Sequence, residues 1–402
     1  MYKLLLVFLC LFGFTGQVKA QDYLGQPDIA AMAGLTPVNG VASKKAQYHV
    51  HSKMDDGHAT VLQVATDAKK NGFGAVYFTI HDRYAAFRHN FGAYTQETAD
   101  ASVKTGIPIT AGVEWSINLP GTWFNWGYHV YIPKALPKEY TALINGLSEY
   151  ATSPDTSYGS HSDWTGKKKS VALLPALVKL ANDNSEPLVV CHPDIWSPSF
   201  GLYQYNPLPI ATLKALRLNM VGIGAYNHEM PYGGPENILG VAAAYEAAGL
   251  KTCFFADNDG HQVPFDYPPY FPKRNERNVF FIGPENRPGY HASGIITYGK
   301  NLQVVGCWPI PNLPTKTSDL TLQVAGSTDF LYSHWSIYTD LTRRNKVASG
   351  SIPASGIIHW SIPTSLNLPG TRHRFYFIMD GLDLDSASFE PFLISSGIDV
   401  YA

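Results

Sequence analysis

The run Tyr48-His49-Val50-His51 ends a short β-rich stretch. Residues two apart in a strand face the same way, so its two imidazoles can meet one cation. Alone, the H-x-H pattern describes many polar strand faces. Its weight comes from the residues downstream. Asp56 lies in the loop Asp55-Asp56-Gly57, His81 and Glu114 end the next two apolar runs, and His129 begins a fourth. His192 ends a fifth, and Asp259 and His261 follow a seventh. Any one of these residues is as readily a turn residue or a part-buried histidine. Six histidines and three carboxylates recurring run by run are harder to explain that way. Parallel strands would bring such side chains together at their C-terminal ends. Mixed imidazole and carboxylate donors suit zinc, manganese or iron, and cations held there acidify water for hydrolysis.

The elements that must position these residues alternate. β-rich runs occur at Gln47–His51, Ala75–Ile80, Ile107–Val113, His129–Ile132, Leu188–Cys191, Met220–Ala225 and Thr252–Phe255. Helical periodicity fills most of the gaps, at Thr60–Asn71, Thr95–Thr105, Glu139–Tyr150, Val171–Asn182, Pro209–Leu216 and Pro235–Ala248. Gly72, Gly106 and Gly249 stand where helix C-terminal caps belong. Strands alternating with helices predict an α/β fold with a parallel sheet, either a barrel or a doubly wound sheet. From Pro264 to about Pro314 the chain is rich in proline, glycine and aromatics, with hints of strand only at Val279–Ile282 and Ile295–Tyr298. After Thr315, five strand-like runs joined by polar turns predict a small β-sandwich. The expected division is a leader at 1–20, an extension at 21–45, a catalytic barrel with its irregular tail at 46–314, and the β-sandwich at 315–402.

In order and chemistry the nine residues resemble the motifs of the polymerase and histidinol phosphatase (PHP) superfamily of metallohydrolases. The H-x-H and D-G motif is His49-Val50-His51 with Asp56-Gly57, and T-D-H is matched by Thr79-Ile80-His81. The glutamate motif is Gly112-Val113-Glu114, followed by His129, by His192-Pro193 for H-P and by Asp259-Gly260-His261 for D-A-H. Tyr226-Asn227 matches a further motif, and the resemblance spans roughly residues 46 to 262. It implies a distorted (β/α)7 barrel holding two or three divalent ions. One ion would take His49, His51, Glu114 and Asp259. A second would share Glu114 as a bridge and add His129 and His192, and a third would take Asp56, His81 and His261. The implied reaction is hydrolysis by a hydroxide held between metals. Two positions depart from the motifs: Ile80 replaces the aspartate of T-D-H, and Gly224-Ala225 replaces an acidic residue before Tyr226. Loss of the aspartate should remove a hydrogen bond that orients a ligand. Export and a β-rich C-terminal part are similar to the branch that includes aryl-carbamate hydrolases.

Substrate clues are sparser. Arg83 and Arg88 follow His81 and could grip a phosphate or carboxylate, although a surface ion pair would use the same residues. His58 and His228 lie near motif residues, as general acids would, yet a loop histidine is more often only solvated. Trp115, Trp123, Trp126, Trp196 and Tyr226 could stack on a sugar or an aryl group, or simply build the core. A phosphoesterase acting on a monoester or diester is the leading expectation. A carbamate, ester or amide hydrolase on the same site is its rival. A non-catalytic binding protein ranks below both, because no ligand position has been lost.

The composition limits partners. With 45% hydrophobic and 15% charged residues and a formal net charge of −2, nothing calls for nucleic acid or an anionic membrane; a small-molecule substrate is expected. Lys3, the apolar stretch Leu4–Phe14 and Val18-Lys19-Ala20 read as a secretory signal, predicting a periplasmic or secreted protein. No later segment approaches the ~20 apolar residues of a spanning helix. Cleavage would leave Cys191, Cys253 and Cys307; the first two sit in apolar runs as small buried hydrophobes. Oligomeric state is left open.

Overall fold

The computed structural model describes residues 43–44, 46–70, 75–82, 85–117, 128–146, 167–191, 194–197, 202–205, 209–224, 234–255, 257–261, 278–282, 292–298, 302–307, 319–323, 334–351, 357–366, 372–383, 388–395 and 398–401. Its first part is mixed α/β. Eight strands form one sheet: β1 (Ala46–Val50), β2 (Ala75–His81), β3 (Ile109–Ile117), β4 (Tyr128–Tyr131), β5 (Leu188–Cys191), β6 (Met220–Gly224), β7 (Lys251–Phe255) and β8 (Asp257–Gly260). Their spatial order is β7-β6-β5-β4-β3-β2-β1-β8. The two edge strands are therefore consecutive in the chain, and the sheet curls so that residues 251–255 line one edge and 257–260 the other. The helices are α1 (Val61–Lys70), α2 (Ala85–Thr105), α3 (Pro137–Gly146), α4 (Lys167–Asp183), α5 (Ile210–Ala215) and α6 (Gly234–Ala247).

The expected all-parallel sheet is corrected at one strand and extended by another. β4 runs antiparallel to both β3 and β5, with Ser116 opposite His129 and His129 opposite Cys191. β8, which pairs parallel with β1, was expected only as loop. Helix α2 begins ten residues before the stretch with clear periodicity. The helix ends follow local chemistry. Thr60 and Gln63 cap α1 reciprocally, the Gln63 Oε1 accepting from the Thr60 N–H and Thr60 Oγ1 accepting from the Gln63 N–H. Gly106 and Gly249 adopt φ of 72° and 83°, ending α2 and α6 in the left-handed conformation that glycine tolerates best. Gly72 lies outside the described residues.

The strands alternate their side chains between two apolar layers. On β2, Val76, Phe78 and Ile80 face the large core beneath the helices, while Tyr77 enters a smaller cluster with Tyr48, Tyr131, Cys191, Cys253 and Phe255 on the other face. Cys191 and Cys253 are buried there as small apolar side chains, filling space as expected. On β3, Ile109, Ala111, Val113 and Trp115 join the large core, which sends the intervening Gly112 and Glu114 to the concave face. No described helix is long and apolar enough to cross a membrane.

The remaining described strands form a nine-stranded, mostly antiparallel sheet and two separate antiparallel pairs, 194–197 with 202–205 and 319–323 with 357–361. The large sheet takes strands from both sides of residue 315, including 278–282, 292–298, 302–307, 334–338 and 372–383. Both strands hinted at between Pro264 and Pro314 are present, at 278–282 and 292–298, and 302–307 adds a third that the sequence did not signal. Tyr338, Tyr376 and Ile378 share the large core of the first part. The Arg374 guanidinium pairs with Glu246 of α6 at 3.2 Å and donates to the Thr252 carbonyl of β7.

Gly112 sits where any Cβ would enter the buried ring of Tyr77, whose hydroxyl donates to the Ile132 and Lys134 carbonyls. Gly112→Ala should therefore destabilise the protein by about 1–3 kcal/mol, as overpacking does. Urea denaturation of the two proteins measures this, and an unchanged midpoint would contradict it.

Candidate metal centre

Glu114 is the fully buried centre of the site. Its Oε2 faces His49 Nε2 at 3.1 Å, His51 Nε2 at 3.3 Å and His81 Nδ1 at 3.1 Å, and its Oε1 faces His129 Nδ1 at 2.6 Å. β1, the residue just after it, β2 and β4 thereby each send an imidazole to a carboxylate on β3. Asp259 on β8 adds a second carboxylate, 2.8 Å from His51 Nε2 and 3.2 Å from His49 Nε2. Asp56, in the loop after β1, reaches His81 Nε2 and His261 Nε2, each at 3.3 Å. Three overlapping groups result: His49, His51, Glu114 and Asp259; His51, Asp56, His81 and His261; and His81, Glu114 and His129. Within each group the donor atoms lie within 4.8 Å of one another.

Simple strand alternation does not explain why His49 and His51 meet. His49 has φ of 56°, and between Gln47 and Val50 two residues of β1, Tyr48 and His49, oppose the single residue Tyr77 of β2. The bulge puts Tyr48 in the inner cluster and Val50 in the outer core, where plain alternation would place them together. Asp259 is also left-handed, at φ 51°, in a matching irregularity of β8 against β1. Both residues therefore hold a backbone conformation that usually favours glycine, at roughly 1–2 kcal/mol each. Gly57 closes the intervening loop, its N–H bonded to the Ser52 carbonyl at 2.9 Å, so near the Ser52 backbone that no Cβ fits.

Charge tests whether cations suit these residues. The carboxylates of Asp55, Asp56, Glu114 and Asp259 are at most 10% exposed. Such buried anions require compensation. Protons on the imidazoles are one source. Burial disfavours a charged His51 ring, yet Asp55, Asp259 and Glu114 outweigh it and raise its pKa well above the ordinary value. The His261 ring, similarly resisted by burial, is raised by Asp259 and Asp56. Burial likewise opposes ionisation of Glu114 and Asp56, but the surrounding imidazoles hold both carboxyls below their usual range. The rings are stacked, however: His51 lies 4.6 Å from His81 at 21° and 4.3 Å from His261 at 17°. Two positive charges about 4 Å apart would repel by about 4 kcal/mol at an effective dielectric of 20. Divalent cations compensate the carboxylates while leaving the rings neutral, and the nitrogen and oxygen donor set fits them.

Eight of the nine expected ligands thus lie in one cluster, and His192 lies outside the described residues. Arg83, His228, Trp123, Trp126, Tyr226 and Asn227 also lie outside them, as do the side chains of Arg88 and Trp196. Trp115 is buried in the large core, away from a substrate role. The His58 side chain is exposed beside the cluster, its backbone N–H donating to the His261 carbonyl at 2.7 Å. Ile80 points away from His81, into the layer beneath the helices. Sequence reasoning missed Asp55, whose carboxylate takes His51 Nδ1 at 2.6 Å, and Asp82. The latter is fully buried; its N–H donates to the Glu114 carbonyl, and its Oδ1 accepts from the Ser116 N–H at 3.3 Å. Adjacent aspartates in a loop carry no periodic signal to say which faces the site.

No protein-family model matches the chain, and a search of curated proteins gives no match. Among solved structures, the chain is similar to a candidate metal-dependent phosphoesterase from Bifidobacterium adolescentis, with 14% identity and a TM-score of 0.35, over 56% of this chain and 91% of that one. It is also similar to a two-domain protein from Bacteroides vulgatus containing a predicted PHP-like metal-dependent phosphoesterase, with 11% identity and a TM-score of 0.43, over 91% and 97% of the two chains. An amidohydrolase from Chromobacterium violaceum, with bound sulfate and no metal, gives 16% identity and a TM-score of 0.34, over 56% and 92%.

Equilibrium dialysis with elemental analysis should find at least two divalent ions per chain at neutral pH, and at least one fewer in Glu114→Gln. Because protons compete for the same nitrogens, acidification should weaken metal binding and finally release the metal. Equal metal content in wild type and Glu114→Gln would remove Glu114 from the centre.

Proposed function

We propose that this chain is a PHP-type metal-dependent hydrolase, and that it is a phosphoesterase. One observation carries the reading: a single buried carboxylate, Glu114, touches four imidazoles and belongs to two of three adjoining ligand groups. Neighbouring divalent cations, when bound, would supply Lewis acidity and lower the pKa of bound water to about 7. His49, His51, Glu114 and Asp259 would hold one ion; Asp56, His81 and His261 a second; and Glu114, His129 and His192 a third.

The chain's own residues do the rest. The fully buried carboxylate of Glu114 fixes the spacing of adjoining positions, while the floor of Tyr48, Tyr77, Tyr131 and Phe255 excludes water from below. Access is from the His261 side, where the ring is 21% exposed. His58 stands at that rim and is assigned as proton donor to a leaving group, with His228 as its alternative. Arg83 and Arg88, next to His81 in sequence, are assigned to an anionic substrate and favour phosphate over a neutral carbonyl compound. Export by the leader at 1–20 belongs to the same proposal.

Offering p-nitrophenyl phosphate, bis-p-nitrophenyl phosphate and a naphthyl carbamate to one metal-loaded sample tests the reading. Turnover of a phosphate ester is expected, with loss of that turnover in Glu114→Gln. Cleavage of the carbamate alone would replace the phosphoesterase with a carbonyl hydrolase on the same centre.

A further inference from the structure

We infer that Asp55 is a positioning residue that assigns His51 to one of two competing metal positions. The inference rests on the metal-centre reading above and adds to it a rule for dividing the ligands. His51 is shared by two groups, one with His49, Glu114 and Asp259, the other with Asp56, His81 and His261. Its two nitrogens point to different groups. Nε2 lies 2.8 Å from Asp259 Oδ1 and 3.3 Å from Glu114 Oε2, whereas Nδ1 lies 3.5 Å from Asp56 Oδ1.

Asp55 decides between them. Its Oδ2 is 2.6 Å from His51 Nδ1 and accepts the His81 N–H at 3.2 Å, while its Oδ1 accepts the Ser52 N–H at 2.9 Å. The side chain is 1% exposed, so water does not compete for these contacts. A carboxylate already placed as an acceptor takes the proton on Nδ1, and a neutral imidazole has only one to give. Nε2 then carries the free lone pair. His51 therefore joins His49, Glu114 and Asp259, and the neighbouring position keeps Asp56, His81 and His261. The His81 contact also ties this choice to the end of β2, so one carboxylate sets a ring tautomer and holds two ligand-bearing segments together. A carboxylate behind a ligating histidine fixes tautomer and orientation in this way, and its loss typically weakens metal binding 10–100-fold.

The test uses the full-length chain and zinc. Wild type, Asp55→Ala and Asp55→Asn are compared by chelator-competition titration, with far-UV circular dichroism to confirm folding. Asp55→Ala should bind zinc 10–100-fold more weakly, and Asp55→Asn, which keeps an acceptor oxygen but no charge, should fall between it and wild type. In zinc-loaded wild type, imidazole ¹⁵N shifts should show His51 protonated at Nδ1 and metal-bound at Nε2, the signal being assigned by its absence in His51→Gln. Equal zinc affinity in all three proteins, or zinc on His51 Nδ1, overturns the role of Asp55 and leaves the metal centre standing. Absence of zinc binding by wild type overturns the metal centre itself, and this role with it. The ring spectrum of wild type decides the matter even if neither variant folds.

Discussion

The site is organised around a carboxylate that has no contact with bulk water. Glu114 is placed by the alternation of β3, whose other face is committed to the large core through Ala111, Val113 and Trp115. Turning it outward would expose that apolar row, so the hydrophobic layering of the strand enforces the burial of its charge. The surrounding imidazoles follow from the same rule on β2 and β4, where Ile80 and Val130 face the core and His81 and His129 face the centre. Apolar burial at about 25 cal/mol per Å² is what holds these polar groups at short range.

β1 and β8 do not obey that rule, and the exception is informative. His49 and Asp259 both adopt left-handed backbone, in paired irregularities of adjacent strands. Strain of this kind persists only where its surroundings fix it, and it concentrates at functional sites. Here the surroundings are identifiable. Tyr48 is held in the inner cluster, edge-on to Phe255 at 5.4 Å, and Val50 in the outer core, so the residue between them has little freedom. The His51 N–H donates to the Gly260 carbonyl, pinning the ends of both irregular segments.

Much of this was legible in the sequence because it rests on local chemistry. Apolar runs gave the strands to within a few residues, and Gly106 and Gly249 marked helix ends by the conformation they permit. Glu114 and His81 were conspicuous as polar residues ending apolar runs. What escaped notice depends on contacts between segments. Nothing near Tyr128 signals that β4 runs antiparallel, since an antiparallel strand has the same period as a parallel one. β8 is hidden because Asp257-Asn258-Asp259-Gly260 has turn-like composition and becomes a strand only by pairing with β1. Asp56 stood out through the D-G motif, but the part played by Asp55 appears only once the loop is folded, with Asp55 turning back to His51 and Asp56 reaching His81 and His261.

That difference changes the meaning of Ile80. From the sequence, its replacement of an acidic residue looks like the loss of a hydrogen bond that steadies the site. In the structure, position 80 belongs to the helix-facing core, where an unpaired carboxylate would require several kcal/mol of desolvation. A carboxylate behind one of the clustered rings is nevertheless present, supplied to His51 from the loop after β1 by Asp55. Support from a loop also has a consequence that support from a strand lacks. Because Asp55 binds His51, Ser52 and the His81 N–H together, ordering the loop and fixing the His51 tautomer become a single event.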